Sequence, residues 1–270
     1  MLPTKFWAEM SWRDFADADM SKVVAVQPVA AIEQHGPHLP VGVDAYIAEG
    51  YLARVVARLP ADPPVLFLPL QPIGKSDEHV EFPGTLTMSM ETLTRAWTDI
   101  GESVARTGCR RLIFVNSHGG NSPVIDVVAR ELRVRRQMLA VHASWRRLGY
   151  PEGLFSPRER AHGIHGGEDE TSLMLAFRPD LTRMSEARDF ASAAIAMEQE
   201  FKHLRATQPI GFGWMASDLN PSGAVGDAAA ASPAKGEACA ERGADAFIEL
   251  LRDVAAFDLA RLVAGPIGRR

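Results

Sequence analysis

Cysteine is almost missing from this chain. The only two thiols in 270 residues are Cys109 and Cys239, and neither sits in a C-x-x-C arrangement or beside a histidine that could activate it. A disulfide scaffold and a thiol-based enzyme are excluded, and both cysteines read as buried, reduced bystanders. Aromatic residues are sparse at 7%, and basic residues are outnumbered, with 29 Lys and Arg against 34 Asp and Glu and a formal net charge of −5. Nothing in that balance attracts phosphate backbones or anionic lipid, so neither nucleic acid nor membrane is an expected partner. No run approaches the roughly 18–20 apolar residues of a membrane span, and Met1–Trp12 has no basic-then-apolar leader pattern. The chain therefore reads as cytoplasmic.

What is present suits a globular α/β protein. Hydrophobic residues make up 46% and charged residues 23%, and a chain of this length buries roughly 70–75% of its unfolded surface. A bound metal would not be needed for folding. With no internal repeat and no long linker, residues 1–270 are expected to form a single three-layer α/β domain, a mostly parallel central sheet flanked by helices. Short β-branched runs predict strands at Lys22–Pro28, Val65–Leu70, Arg111–Asn116 and Met138–Ser144. Helical spacing predicts Ala45–Arg58, Met90–Thr107 and Ser122–Arg136 between them, then Asp169–Phe177 and a long C-terminal helix, Ala234–Leu262, with Ser232 as cap and Pro233 at its first position. The Gly-, Ala- and Ser-rich Asn220–Ala231 is either a flexible connection or a loop folded over a pocket.

Three short segments carry the chemistry. Ala31–Asp44 (AIEQHGPHLPVGVD) holds Glu33, His35, His38 and Asp44 just after the first strand, where open α/β sheets bind ligands. In an extended stretch Glu33 and His35 share a face, and with Asp44 they form a carboxylate–imidazole set suited to zinc, manganese or iron. His38 is placed behind the ligands. A second segment, Asn116–Asn121 (NSHGGN), puts His118 at the same sheet edge; it reads as a metal ligand or a phosphate cradle, although it matches neither G-x-G-x-x-G nor G-x-x-x-x-G-K-[ST]. The third, His165–Ser172 (HGGEDETS), opens a helix. Its acids would suit a helix dipole alone, but His165 beside them suggests that Glu168 joins a metal while Glu170 orients the imidazole or moves protons. Glu33, Asp44 and Glu168 crowd negative charge that two divalent cations and a bridging hydroxide would neutralise.

These motifs, in this order and spacing, resemble the creatininase (creatinine amidohydrolase) family from the first strand to about Asp180. The resemblance implies a dinuclear zinc, manganese or iron site, with zinc the first expectation, and hydrolysis of a carbon–nitrogen bond in a small, often cyclic amide. It also implies a homo-oligomer, commonly a hexamer. Carried over by position, Glu33, Asp44 and His118 hold one metal, His35 and Asp44 the other, and His165 and Glu170 transfer protons. Creatininase proper has a metal-binding glutamate where this chain has Gly120, and Glu168 is expected to replace it. The swap points away from creatinine, toward a branch that includes formamide deformylases, a peptide-trimming enzyme and a keto-inositol hydrolase. Lys75–Thr85 also resembles a family segment, which places His79 at the substrate. Trp145 and Trp214 read either as covers for a flat substrate or as packing. The rival readings are carbon–carbon cleavage in a cyclic ketone by the same centre, and a non-catalytic small-molecule sensor.

Overall fold

Lys22 stops short of the first strand because Asp19 caps a 3-10 turn, its side chain accepting from Ser21 N, and that turn occupies Met20–Lys22. The computed structural model describes residues 2–207 and 209–265. Its first half runs α1 (Trp12–Asp17), β1 (Val24–Val29), α2 (Val43–Arg58), β2 (Val65–Phe67), α3 (Met90–Arg106), β3 (Arg111–Asn116), α4 (Ser122–Arg136) and β4 (Leu139–Ser144). After these come α5 (Pro157–His162), α6 (Glu168–Phe177), β5 (Asp189–Phe190), α7 (Ala194–Glu200), α8 (Ala216–Leu219), β6 (Gly226–Asp227) and α9 (Pro233–Ala256).

Four strands form a parallel sheet, as expected, and their order is β2-β1-β3-β4, while β5 and β6 pair antiparallel outside it. Strand β2 is shorter than its apolar run, since Pro69 has no N–H to continue a ladder. Alternation along β1 and β3 divides the core. Val24, Val26, Ile113 and Val115 face α2, α6 and α9, whereas Ala25, Val29, Leu112 and Phe114 face α3 and α4. Both faces of a parallel sheet are thus covered, giving three layers. No helix among the described residues is long and apolar enough to cross a membrane.

Helix α9 begins as predicted, with Ser232 accepting from Lys235 N, but ends at Ala256. Arg111 takes the Val254 and Phe257 carbonyls, and Asp258 then caps a separate short turn. Trp145 is core: its ring stacks on Tyr51 at 4.4 Å. Trp214 packs, partly buried, against Ala206, Leu219 and Val225. Under α3, Trp97 is among the largest fully buried side chains. Trp97→Ala is expected to cost about 3–5 kcal/mol, which urea unfolding would measure; a loss within about 1 kcal/mol would mean that the α3 layer repacks.

Candidate metal centre

Residues 30–42 leave β1 as a loop that Gly36 turns at φ +74°, a conformation suited to glycine. The loop is closed by Glu33 N donating to Val41 O at 2.8 Å and by Leu86 N donating to Ile32 O at 2.8 Å. Helix α2 starts two residues before the predicted position, so Asp44 lies in its first turn, where a carboxylate complements the dipole. Ser117, just past β3, donates to Asp44 O at 2.8 Å. Next to it, His118 N donates to Asn116 Oδ1 at 3.1 Å. The third segment enters through α6, with Gly166 N donating to Glu170 Oε2 at 2.6 Å.

These loops bring Glu33, His35, Asp44, His118, His165, Glu170 and His79 to one buried cluster. Glu33 Oε1 lies at its middle, 3.1 Å from His118 Nδ1, 3.5 Å from both His165 Nδ1 and His79 Nε2, and 3.9 Å from His35 Nε2. His35 Nε2 is also 3.8 Å from Asp44 Oδ1 and 3.7 Å from Glu170 Oε2, and Asp44 Oδ2 is 3.6 Å from His118 Nδ1. Ligand atoms that share one ion at about 2.0–2.2 Å are separated by roughly 3–4 Å. The spacing fits.

Three atoms in this cluster, Glu33 Oε1, His35 Nε2 and Asp44 Oδ2, are buried with no hydrogen-bond partner. Unpaired buried polar atoms are costly, and three converging on one space call for a cation. The backbone aims the ring nitrogens accordingly. His35 Nδ1 donates to Glu33 O at 3.0 Å and His118 Nε2 donates to Lys75 O at 2.7 Å, so the other nitrogen of each ring faces the cluster. Protonation follows the same crowding. Burial opposes charge on His118, yet Glu33, Asp44 and Glu78 push it up to about 10. Burial would raise Glu33 too, but His118, His165 and His79 hold it well below the usual carboxylate range. Burial and Glu33 drive Asp44 well above that range, and burial with Asp169 lifts Glu170 to about 8. Burial lowers His35 to about 4 and, with His35 and His79, holds His165 well below the usual imidazole range.

Glu168 is not brought to this cluster. Successive residues in the first turn of α6 point about 100° apart, and its carboxylate turns onto Lys235 Nζ while its N–H donates to Glu159 Oε1 at 2.7 Å. Glu170 is the acid of that turn that faces His35. Glu78 is a cleft residue not anticipated from sequence, its Oε1 3.7 Å from His118 Nε2; its place beside His79 in the flagged Lys75–Thr85 segment was the available signal. It also accounts for Gly120, where a Cβ would lie 2.4 Å from Lys75 O and 2.6 Å from Glu78 Oε1. His38 stands behind the cluster, as expected, with Nε2 2.9 Å from Thr171 Oγ1.

Burial lowers His38 to about 4 from its ordinary 6.5. The unfolded chain therefore binds the extra proton between those values, and stability falls as pH drops from about 6.5 to about 4. His38 is expected to account for up to about 3 kcal/mol of that loss at 1.36 kcal/mol per pKa unit. Urea unfolding of His38→Gln should show a shallower decline than the parent; identical slopes would place the proton uptake elsewhere.

The sequence profile of the creatininase family, described as creatinine amidohydrolase, matches residues 8–251. A creatinine amidohydrolase from Pseudomonas putida is 33% identical over 214 residues, covering 72% of this chain and 79% of the relative. A mycofactocin precursor peptide peptidase from Mycobacterium tuberculosis is 36% identical over 160 residues, covering 57% and 58%. In structure, a manganese creatininase superposes with a TM-score of 0.74 at 28% identity, covering 94% of this chain and 100% of its own. Profile, sequence and fold agree with the motif loops: the chain belongs to the creatininase (creatinine amidohydrolase) family.

Proposed function

We propose that this protein hydrolyses a carbon–nitrogen bond in a small amide, lactam or formamide at a dinuclear metal centre. The carrying observation is the convergence of three unpartnered buried atoms, on Glu33, His35 and Asp44, in one cluster. Glu33, Asp44 and His118 would hold one divalent cation, and His35, Asp44 and Glu170 the other. Glu170 thus takes the part expected of Glu168. Zinc, manganese and iron all suit this nitrogen and oxygen donor set.

When bound, the two cations supply an acidified water and polarise the amide carbonyl. His165 presents Nδ1 to the same space, because its Nε2 donates to Gln34 O at 2.5 Å. There it can take a proton from the attacking water and return it to the leaving nitrogen. The cleft has a volume of about 100 Å³, room for an amide group and little more. Relatives named as an amidohydrolase and a peptidase support amide hydrolysis as the reaction class. Gly120 argues against creatinine itself.

The test is metal content and turnover together. Zinc-loaded, dialysed protein is expected to retain two equivalents per chain and to release amine from at least one member of an amide, lactam and formamide panel. His118→Ala should lose metal and more than about 100-fold in turnover. Full metal content and undiminished turnover in that variant would refute the assignment, and a product without amine would favour carbon–carbon cleavage.

A further inference from the structure

Gln34 lies between two of the proposed ligands in sequence and is buried. Two main-chain groups of opposite character settle its amide orientation. Gly36 N donates to Gln34 Oε1 at 2.9 Å, and Gln34 Nε2 donates to Gly223 O at 2.9 Å. A reversed amide would set N–H against N–H and carbonyl against carbonyl. Gly223, at φ +81°, gives the amide no slack, since even a Cβ there would come within 2.3 Å of Gln34 Oε1.

The second hydrogen of Gln34 Nε2 points to His79 Nδ1 at 2.8 Å. That nitrogen must accept, so the neutral His79 ring carries its proton on Nε2, which faces the cluster 3.5 Å from Glu33 Oε1. His165 is held the other way round. Its Nε2 donates to Gln34 O, an acceptor only, leaving a bare Nδ1 3.5 Å from the same Glu33 oxygen. Gln34 Nε2 also approaches His165 Nε2 at 3.3 Å, but both amide hydrogens are already committed. Thr85 Oγ1 clamps the arrangement, accepting from Gln34 N at 3.2 Å and donating to His79 O at 3.1 Å. Two imidazoles stacked at 4.0 Å thus show the site opposite ends, one an N–H and the other a lone pair.

We propose that Gln34 is a positioning residue that sets these opposite ends, and that His79 is a catalytic hydrogen-bond donor to the substrate oxygen rather than a metal ligand. This rests on the amide-hydrolase reading. A neutral donor fixed in a buried site stabilises the negative charge that develops on a carbonyl oxygen under attack, while the lone pair of His165 handles the proton. The pairing separates the two duties between rings that would otherwise be interchangeable.

Zinc-loaded protein with 15N-labelled histidines tests this directly, because two-bond proton–nitrogen correlations show which ring nitrogen is protonated. His79 is expected to carry hydrogen on Nε2 only, its signals assigned by their loss in His79→Ala. That variant should keep both zinc equivalents and lose about 100-fold or more in kcat, as for other oxyanion donors. Gln34→Glu retains an acceptor for Gly36 N but presents an acceptor to His79 Nδ1, and should move the proton there, lowering kcat with little change in KM. A wild-type His79 protonated on Nδ1, or a zinc equivalent lost in His79→Ala, overturns the proposal; so does a Gln34→Glu variant with the wild-type proton pattern and kcat. If Gln34→Glu does not fold, the wild-type spectrum and the His79→Ala zinc count still decide. A wild-type enzyme inert toward every amide would sink the proposed function while leaving the ring orientations to be read from the same spectrum.

Discussion

Asp44→Asn is expected to remove metal and activity together while leaving the fold intact. Asp44 is the one carboxylate shared by both proposed cation sites, within 4 Å of His35 on one side and His118 on the other. An amide lacks the charge needed to bridge two dications, so turnover should fall at least about 1,000-fold, near 4 kcal/mol at 1.36 kcal/mol per factor of ten. The metal-free protein should tolerate the change. Burial already favours the protonated form of Asp44 there, and an amide mimics a neutral carboxyl in size and polarity, so apo stability should move by less than about 1 kcal/mol. Metal analysis and urea unfolding on the same preparation would check both halves. Unchanged metal content, or an apo protein that fails to fold, would count against this account.

The second large effect is a contrast within one helical turn. Glu170→Gln removes the acid that faces His35 and should leave one metal equivalent per chain, with turnover down about 100-fold or more. Glu168→Gln should retain both equivalents and most activity. Its cost is in stability, because the Lys235 ammonium loses its opposite charge and keeps only the Ala230 carbonyl; the lysine side chain is 30% exposed, which limits the loss to about 1–2 kcal/mol. If the two variants exchanged phenotypes, Glu168 would be the ligand after all and the first turn of α6 would be set differently in the loaded protein.

That contrast also shows where sequence reading stops. Glu33 and His35 were legible as a pair because an extended backbone repeats every two residues and puts both on one side. Glu168, Asp169 and Glu170 are three acids in a helical turn, and choosing among them requires the rotation of α6 about its own axis. That rotation is set by packing: Leu173 and Met174 bury against α2 and α9, while Tyr150 donates to Asp169 Oδ2 at 2.8 Å. Asp169 is thereby turned to Tyr150, Glu168 to Lys235 and Glu170 to the cluster. Glu78 was obscured for another reason, since it sits in a three-residue 3-10 turn, Asp77–His79, too short for any periodicity to assign its side chain a face.

The linear order of residues determined the parallel three-layer architecture and the three motif loops, because strand and helix periodicities are local and glycine and proline mark where they end. It also determined the chemistry on offer, a mixed carboxylate and imidazole set with no reactive thiol. Only the folded chain decided which acid of α6 enters the cluster, why residue 120 must be glycine, and which end of each imidazole meets the site. Those outcomes depend on contacts between segments far apart in sequence, such as Gln34 with Gly223 and Lys235 with Glu168, and on hydrogen-bond partners that no local pattern encodes.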